Sequence, residues 1–135
     1  MSGSKLRLRL PKIGEEMRDG TIYCGVSPHT NLPFYLEYTS HTIGMPWPFS
    51  LTMARRLNVH GHQDWRLPTL DELTMIFENR EDIGGFYQHG FYWAAAPHYL
   101  QSGWAMNFKS GHAAMMRKSM DCFFMCVRGQ DPYRQ

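Results

Sequence analysis

Seven histidines and three cysteines carry most of the chemical potential of this 135-residue chain. His60-Gly61-His62 places two imidazoles on alternate residues, with Asp64 two positions further on. Alternating ligands in a loop can hold a divalent ion, but a zinc site takes three or four protein ligands. A metal-dependent enzyme using His60, His62 and Asp64 is therefore the alternative. A polar turn between two helices, with Asp64 bonded to backbone, is the expectation. Cys122 and Cys126 are separated by three residues, which is not the zinc-finger spacing, and no second pair exists. In an extended chain both would point to one face. Their Cα atoms would then lie roughly 13 Å apart, against the ~4.4–6.8 Å of a disulfide. Cys24 can approach either one. Three reduced thiols are expected, with at least Cys126 buried. No Ser/His/Asp or Cys/His arrangement can be assembled from these motifs, so the chain reads as a non-enzyme with no cofactor and no metal.

A second group of residues suits recognition. Lys109, His112, Arg117 and Lys118 lie in and just beyond a Ser110-Gly111 turn, and His98, Tyr99 and Gln101 lie in the loop before it. These seven are the candidate binding residues, on one face if the two loops meet. Met115 and Met116 add soft apolar surface suited to adaptable protein contacts. An ordinary solvated hairpin carries similar cations.

Lys and Arg exceed Asp and Glu by only two, giving a formal charge of +2. That balance points away from nucleic acid and from an anionic membrane. Met1 to Lys5 lacks the apolar core of a secretion signal, and no apolar run approaches the ~20 residues of a membrane span. A cytoplasmic location is expected. The length suits one domain over residues 1–135, burying roughly two thirds of its unfolded surface.

The elements that must position these groups centre on Asp64-Trp65-Arg66-Leu67-Pro68-Thr69-Leu70-Asp71-Glu72-Leu73. Thr69 and Glu72 have capping-box spacing, each satisfying a backbone N–H of the other. Pro68 biases Leu67 to extended geometry, so a helix begins at Thr69 and runs to about Asn79. Arg66 is expected to brace a carboxylate such as Glu72, or loop carbonyls, and Trp65, Trp93 and Trp104 to lie in the core. Strands are predicted at Lys5–Leu10, Thr21–Val26, Phe34–Tyr38, Phe91–Ala94, Trp104–Phe108, Ala113–Lys118 and Asp121–Arg128, the last as a central strand. His41–Phe49, with Pro46 and Pro48, suits a loop. Ser50 would then cap a short helix over Leu51–Leu57, with Met53, Ala54 and Leu57 on its inner face. This is an α+β domain: a twisted antiparallel sheet carrying helices on one side, with a loop-rich second half.

The order of Asp-Trp-Arg-Leu-Pro-Thr-x-x-Glu-Leu at 64–73, Tyr92-Trp93, Trp104-x-x-x-Phe108-x-x-Gly111 and Cys126-Val127-Arg128 resembles the bacterial Lcl C-terminal-domain family, a domain of unknown function. Gly20-Thr21-Ile22-Tyr23 and Gly25-Val26-Ser27-Pro28 resemble the opening of its cytoplasmic members, so the likeness runs over roughly residues 17–129. The Arg-Leu-Pro-Thr-x-x-Glu core is shared with formylglycine-generating enzymes, and the resemblance implies a single C-type-lectin-like domain with neighbouring terminal strands. Tyr92-Trp93-Ala94-Ala95-Ala96 departs from the family's usual hydroxyl-bearing residues after Tyr-Trp. The reactive cysteine motif of the formylglycine-generating enzymes is missing, as are calcium-binding acidic pairs and the lectin Glu-Pro-Asn motif. Oxidase chemistry and calcium-dependent sugar binding therefore do not carry over. The resemblance implies a protein-binding module, bacterial or phage-encoded. Extracellular relatives are associated with sulfated polysaccharides, so a polyanion- or glycan-binding role for the basic hairpin is the alternative.

Overall fold

The computed structural model describes residues 10–37, 43–86 and 90–131. In chain order the elements are β1 (Ile22–Val26), β2 (Pro33–Glu37), α1 (Trp47–Arg56), α2 (Leu70–Glu78), α3 (Arg80–Ile83), β3 (Phe91–Tyr99), β4 (Ser102–Asn107), β5 (Ala113–Arg117) and β6 (Cys126–Arg128). They build two antiparallel three-stranded sheets, ordered β1-β2-β6 and β3-β4-β5. The predicted strand at Lys5–Leu10 falls outside the described residues except for Leu10, and Tyr38 and His41 fall outside them too.

The period-two pattern of the second sheet decides its place. Tyr92 pairs with Met106, and Trp93 with Ala105. Successive side chains point to opposite faces. Tyr92, Ala94 and Met106 join Leu73 and Ile76 of α2 in one cluster, with Ile22, Cys24, Phe34, Leu36 and Val127 of the first sheet. Trp93 and Ala105 join Ala54 of α1, with Trp65, Leu67, Phe124 and Cys126, in the other. The expected helices on one side are thus corrected. A sheet buried on both faces takes α2 on one and α1 on the other.

Helix α2 is as the sequence predicts. The Thr69 hydroxyl accepts from the Glu72 N–H at 3.1 Å, and Glu72 Oε1 accepts from the Thr69 N–H at 2.9 Å. Helix α1 begins three residues before the predicted Ser50 cap, because the first turn of a helix leaves its N–H groups without intrahelical partners and tolerates proline. Pro46 occupies the N-cap position and Pro48 lies in the first turn. Ser50 is buried inside the helix, its hydroxyl donating to the Pro46 carbonyl at 3.2 Å. That earlier start turns Met53 outward, half exposed, while Ala54 stays buried.

The closing segment corrects the largest expectation. Only Cys126–Arg128 forms a strand, beside β2, which separates it from β1. Among the described residues β6 thus shares a sheet with β1 without touching it, and the expected pairing of the closing strand with a first strand at Lys5–Leu10 lies outside the described residues. Upstream, the Phe123 N–H donates to the Phe91 carbonyl at 2.8 Å, and the Trp93 N–H to the Phe123 carbonyl at 2.9 Å. The Cys122 carbonyl accepts from the Met45 N–H at 2.9 Å. One irregular segment thus ties both sheets together. Between β4 and β5, Gly111 sits in the left-handed region, at positive φ, and a Cβ there would lie 2.4 Å from the Phe77 ring. Glycine is therefore required both for the turn and for the packing. Among the described residues no helix is long and apolar enough to cross a membrane.

Candidate functional site

The Asp64–Leu73 stretch and the Cys126–Arg128 stretch meet in space. Arg66 and Val127 exchange both backbone hydrogen bonds at 2.8 Å. Beside that bridge Arg128 grips Asp64 through two nitrogens, at 2.9 and 3.0 Å. Arg66 itself is buried. Its Nη1 donates to Glu72 Oε1 at 2.7 Å and its Nη2 to Glu72 Oε2 at 2.9 Å, and the same nitrogens reach the Leu67 and Gln130 carbonyls. Glu72 also accepts from the Ser27 hydroxyl at 2.7 Å. Burial alone would push the Glu72 carboxyl up; the Arg66 guanidinium, the Thr69 N–H and the Ser27 hydroxyl outweigh it, and the net shift is downward. The sequence expectation of a carboxylate brace holds. Two shallow cavities, of about 300 and 280 Å³, adjoin Arg66 and share Arg55 and Asp131.

His60, Gly61, His62 and Asp64 do not converge on one point. His60 and Gly61 both have positive φ, as a tight turn closed by the Val59–His62 bridge requires. His60 Nε2 lies 2.8 Å from Glu37 Oε1, and its Nδ1 lies 2.9 Å from the Asp19 carbonyl. Two acceptors on one ring favour the doubly protonated form. The bond to buried Glu37 leads in raising the His60 pKa above its ordinary value. His62 Nε2 lies 2.7 Å from Asp19 Oδ2. Burial opposes ionisation of Asp19, but His62 and Thr21 together lower its pKa to about 2. Asp64 belongs to Arg128, whose hydrogen bond leads in lowering its pKa. The expected bond of Asp64 to backbone is present, but its leading partner is Arg128, a residue 64 positions away. Among the described residues no group of three or more His, Cys, Asp and Glu is arranged to hold a metal.

The seven candidate binding residues divide between the two ends of the second sheet. Tyr99, Gln101, Arg117 and Lys118 gather where the β3–β4 turn meets the end of β5. There Leu100, Gln101, Arg117, Lys118 and Ser119 line a shallow depression of about 290 Å³. Lys118 Nζ donates to the Leu100 carbonyl at 3.0 Å and stands 4.7 Å from the Trp47 ring centre, over its face. The Lys118 backbone joins both neighbours, donating to the Gln101 carbonyl and accepting from the Trp47 N–H. Lys109 and His112 are exposed at the other end, with the whole length of β4 between the two groups. Lys109 there borders a cavity with Arg80, Glu81 and Phe86. The single face expected from the sequence is therefore two. The His98 backbone lies in β3, and its side chain is outside the described set.

Sequence reasoning passed over Leu100, whose exposure of 83% is large for an apolar residue, whereas Met115, at 59%, is exposed as its reading as apolar surface expects. A leucine at a turn tip, between Tyr99 and Gln101, was the available signal. It also gave no role to Asp19, which anchors both histidines. Cys24, Cys122 and Cys126 are all free and buried, as expected.

The scaffold is a two-sheet α+β domain with a buried Arg66–Glu72 ion pair and with its hairpin ends exposed to solvent. The Lcl C-terminal domain model matches residues 21–128, and the chain belongs to that family. No curated protein matches it. The residues that carry the resemblance serve the scaffold: Asp64 with Arg128, Arg66 with Glu72, and fully buried Trp93 and Val127.

Proposed function

We propose that this chain is a non-enzymatic binding module on a C-type-lectin-like scaffold. It engages another protein through the β3–β4 turn and the adjoining end of β5. The observation that carries this is the Tyr99-Leu100 tip, 70% and 83% exposed, braced from beneath by Lys118 and Trp47. A large apolar tip fixed in one conformation loses little entropy when it docks, and cations at its rim favour encounter with an acidic surface. The hydroxyl–carboxylate contact between Ser27 and Glu72 offers no catalytic route, since both side chains are buried and Arg66 holds the carboxylate. Its setting would be the cytoplasm of a bacterium or of a phage-infected one. A housekeeping complex, a virion component and an inhibitor of a bacterial system all fit.

Capture from a bacterial lysate on immobilised protein, read by mass spectrometry, tests the proposal. A stoichiometric partner should be retained by the native chain and lost on Leu100→Asp, a substitution at an exposed turn that leaves the fold intact. Absence of a partner, together with turnover of a small molecule, would overturn it. A polyanion-binding role is favoured by one further feature: no carboxylate side chain stands between Asp82 and Asp121. Sulfated polysaccharide retained equally by the native chain and by Leu100→Asp, and released by salt, would support that role instead.

A further inference from the structure

We infer that the outer edge of β5 is a docking strand for an extended, acidic segment of the partner protein, which would join the second sheet as a fourth strand. This rests on the protein-binding proposal and names the partner's chemistry. The β4–β5 register fixes which backbone groups point outward. The Asn107 N–H donates to the His112 carbonyl, and the Lys118 N–H to the Gln101 carbonyl. Hydrogen-bonded pairs recur every second residue in an antiparallel ladder, so Ala114 and Met116 face β4 while Ala113 and Met115 direct their backbone groups away. Ala113, Met115 and Arg117 are the exposed residues of the strand. Among the described residues no other strand of the sheet lies beyond β5, and no further backbone bond covers Ala113 or Met115. The Arg117 carbonyl accepts from the Met120 N–H, which closes the edge there.

Open edges invite pairing unless proline, bulges or charges blunt them. This one has no proline and a regular register throughout. Met115 pairs with half-buried Trp104 and offers an apolar seat for one side chain of an added strand. Cations bound both ends: Lys109 at one, Arg117 and Lys118 at the other. Strands β3, β4 and β5 carry no carboxylate; the nearest acids along the chain or across a cavity are Asp121, three residues past Lys118, and Glu81, which shares a cavity with Lys109. That argues against a second copy as occupant, because an antiparallel pair of these strands would bring no carboxylate to Arg117 and Lys118 of either chain. Lys5, Arg7 and Arg9, the cations of the chain's own first segment, complement the edge no better. A strand carrying carboxylates at its ends and an apolar residue at its middle complements both features.

A synthetic peptide, acetyl-Glu-Glu-Val-Thr-Val-Thr-Val-Glu-Glu-amide, is the probe. Two controls accompany it, one with the central Val replaced by Pro and one with Lys in place of every Glu. Fluorescence anisotropy should show salt-sensitive binding of the first peptide and none of the Lys peptide. The Pro-interrupted peptide should bind about tenfold or more weakly, since it cannot complete the ladder. Met115→Pro should weaken binding similarly, because the lost N–H points outward and edge strands tolerate proline. Amide exchange at Ala113 and Met115 of the native chain should slow on peptide addition, a readout that does not depend on the variant folding. Equal binding of the interrupted peptide, protection elsewhere, self-association through this edge, or no binding would each overturn the inference. Loss of the lysate partner on Leu100→Asp but not on Met115→Pro would reject the edge and leave the binding-module proposal standing. A partner lost on neither would reject both.

Discussion

Replacing Glu72 should cost far more than replacing the cap residue it faces. The Glu72 carboxylate takes two bonds from Arg66, one from the Thr69 N–H and one from the Ser27 hydroxyl, at 2.7–2.9 Å, with both charged side chains out of solvent. Removing one partner of a buried pair leaves an uncompensated charge, at about 3–5 kcal/mol. Arg66 is poorly placed to recover, because its Nε already lacks any hydrogen-bond partner. Loss of the Thr69 hydroxyl alone removes one cap bond, worth about 1 kcal/mol. We therefore expect Glu72→Ala to destabilise the fold by ~4 kcal/mol and Thr69→Ala by ~1 kcal/mol. The double variant Arg66→Met/Glu72→Leu should be less destabilised than Glu72→Ala, since it leaves no buried charge behind. Urea unfolding followed by tryptophan fluorescence measures this, with midpoints shifting at unchanged slope. The reasoning is refuted if Glu72→Ala and Thr69→Ala fall within measurement error of one another. It is refuted equally if the double variant is the least stable of the three.

The other expectations concern protons and thiols. Glu72 and Asp19 both ionise below their ordinary values, so their stabilisation is present above the unfolded pKa values of 4.5 and 3.8 and is lost as pH falls through the lowered folded values, about 2 for Asp19. His60 is shifted the other way, so its contribution is complete below 6.5 and is lost as pH rises through its raised folded value. Midpoints measured against pH should therefore fall off on both sides of roughly pH 5–6, and His60→Gln should flatten the alkaline side alone. Burial pushes the Cys24 thiol up strongly and the Cys122 thiol to about 11. A thiol reagent should accordingly react slowly with native protein and count three groups on unfolding without reductant; a count of one would mean a disulfide.

What the sequence made legible was local. The Thr69–Glu72 cap needs only residues three apart, and Arg66 reaches Glu72 across the single turn that Pro68 sets. The start of α1 was obscured because proline reads as a breaker in the middle of a helix and as a starter in its first turn, and composition does not say which. The two-sheet arrangement depends on Cys122–Arg128 meeting Met45, Phe91, Trp93, Arg66 and β2 in turn. Such irregular long-range bridges leave no periodicity, so an apolar run reads as one central strand. The candidate binding residues were legible as types but do not form one constellation, because the length of β4 separates the ends on which they sit.

The distribution of charge links scaffold to surface. Ten of the twelve carboxylates lie at or before Asp82, and the most deeply placed of them have structural partners: Glu37 with His60, Glu72 with Arg66. Asp64 completes the set by holding Arg128 at the mouth of the bridge between the two stretches. Carboxylates used this way hold the first sheet and α2 in register, and β3, β4 and β5 carry none of their own. The second sheet is left with Lys109, Arg117 and Lys118 and no opposing charge of its own. Arg117→Glu would place a carboxylate at the open edge without touching a buried contact. It should weaken an acidic partner or a polyanion alike while leaving the unfolding midpoint within about 0.5 kcal/mol of native. The Pro-interrupted peptide and Met115→Pro then separate a strand from a simple polyanion, because both carry the charge and only one completes a ladder.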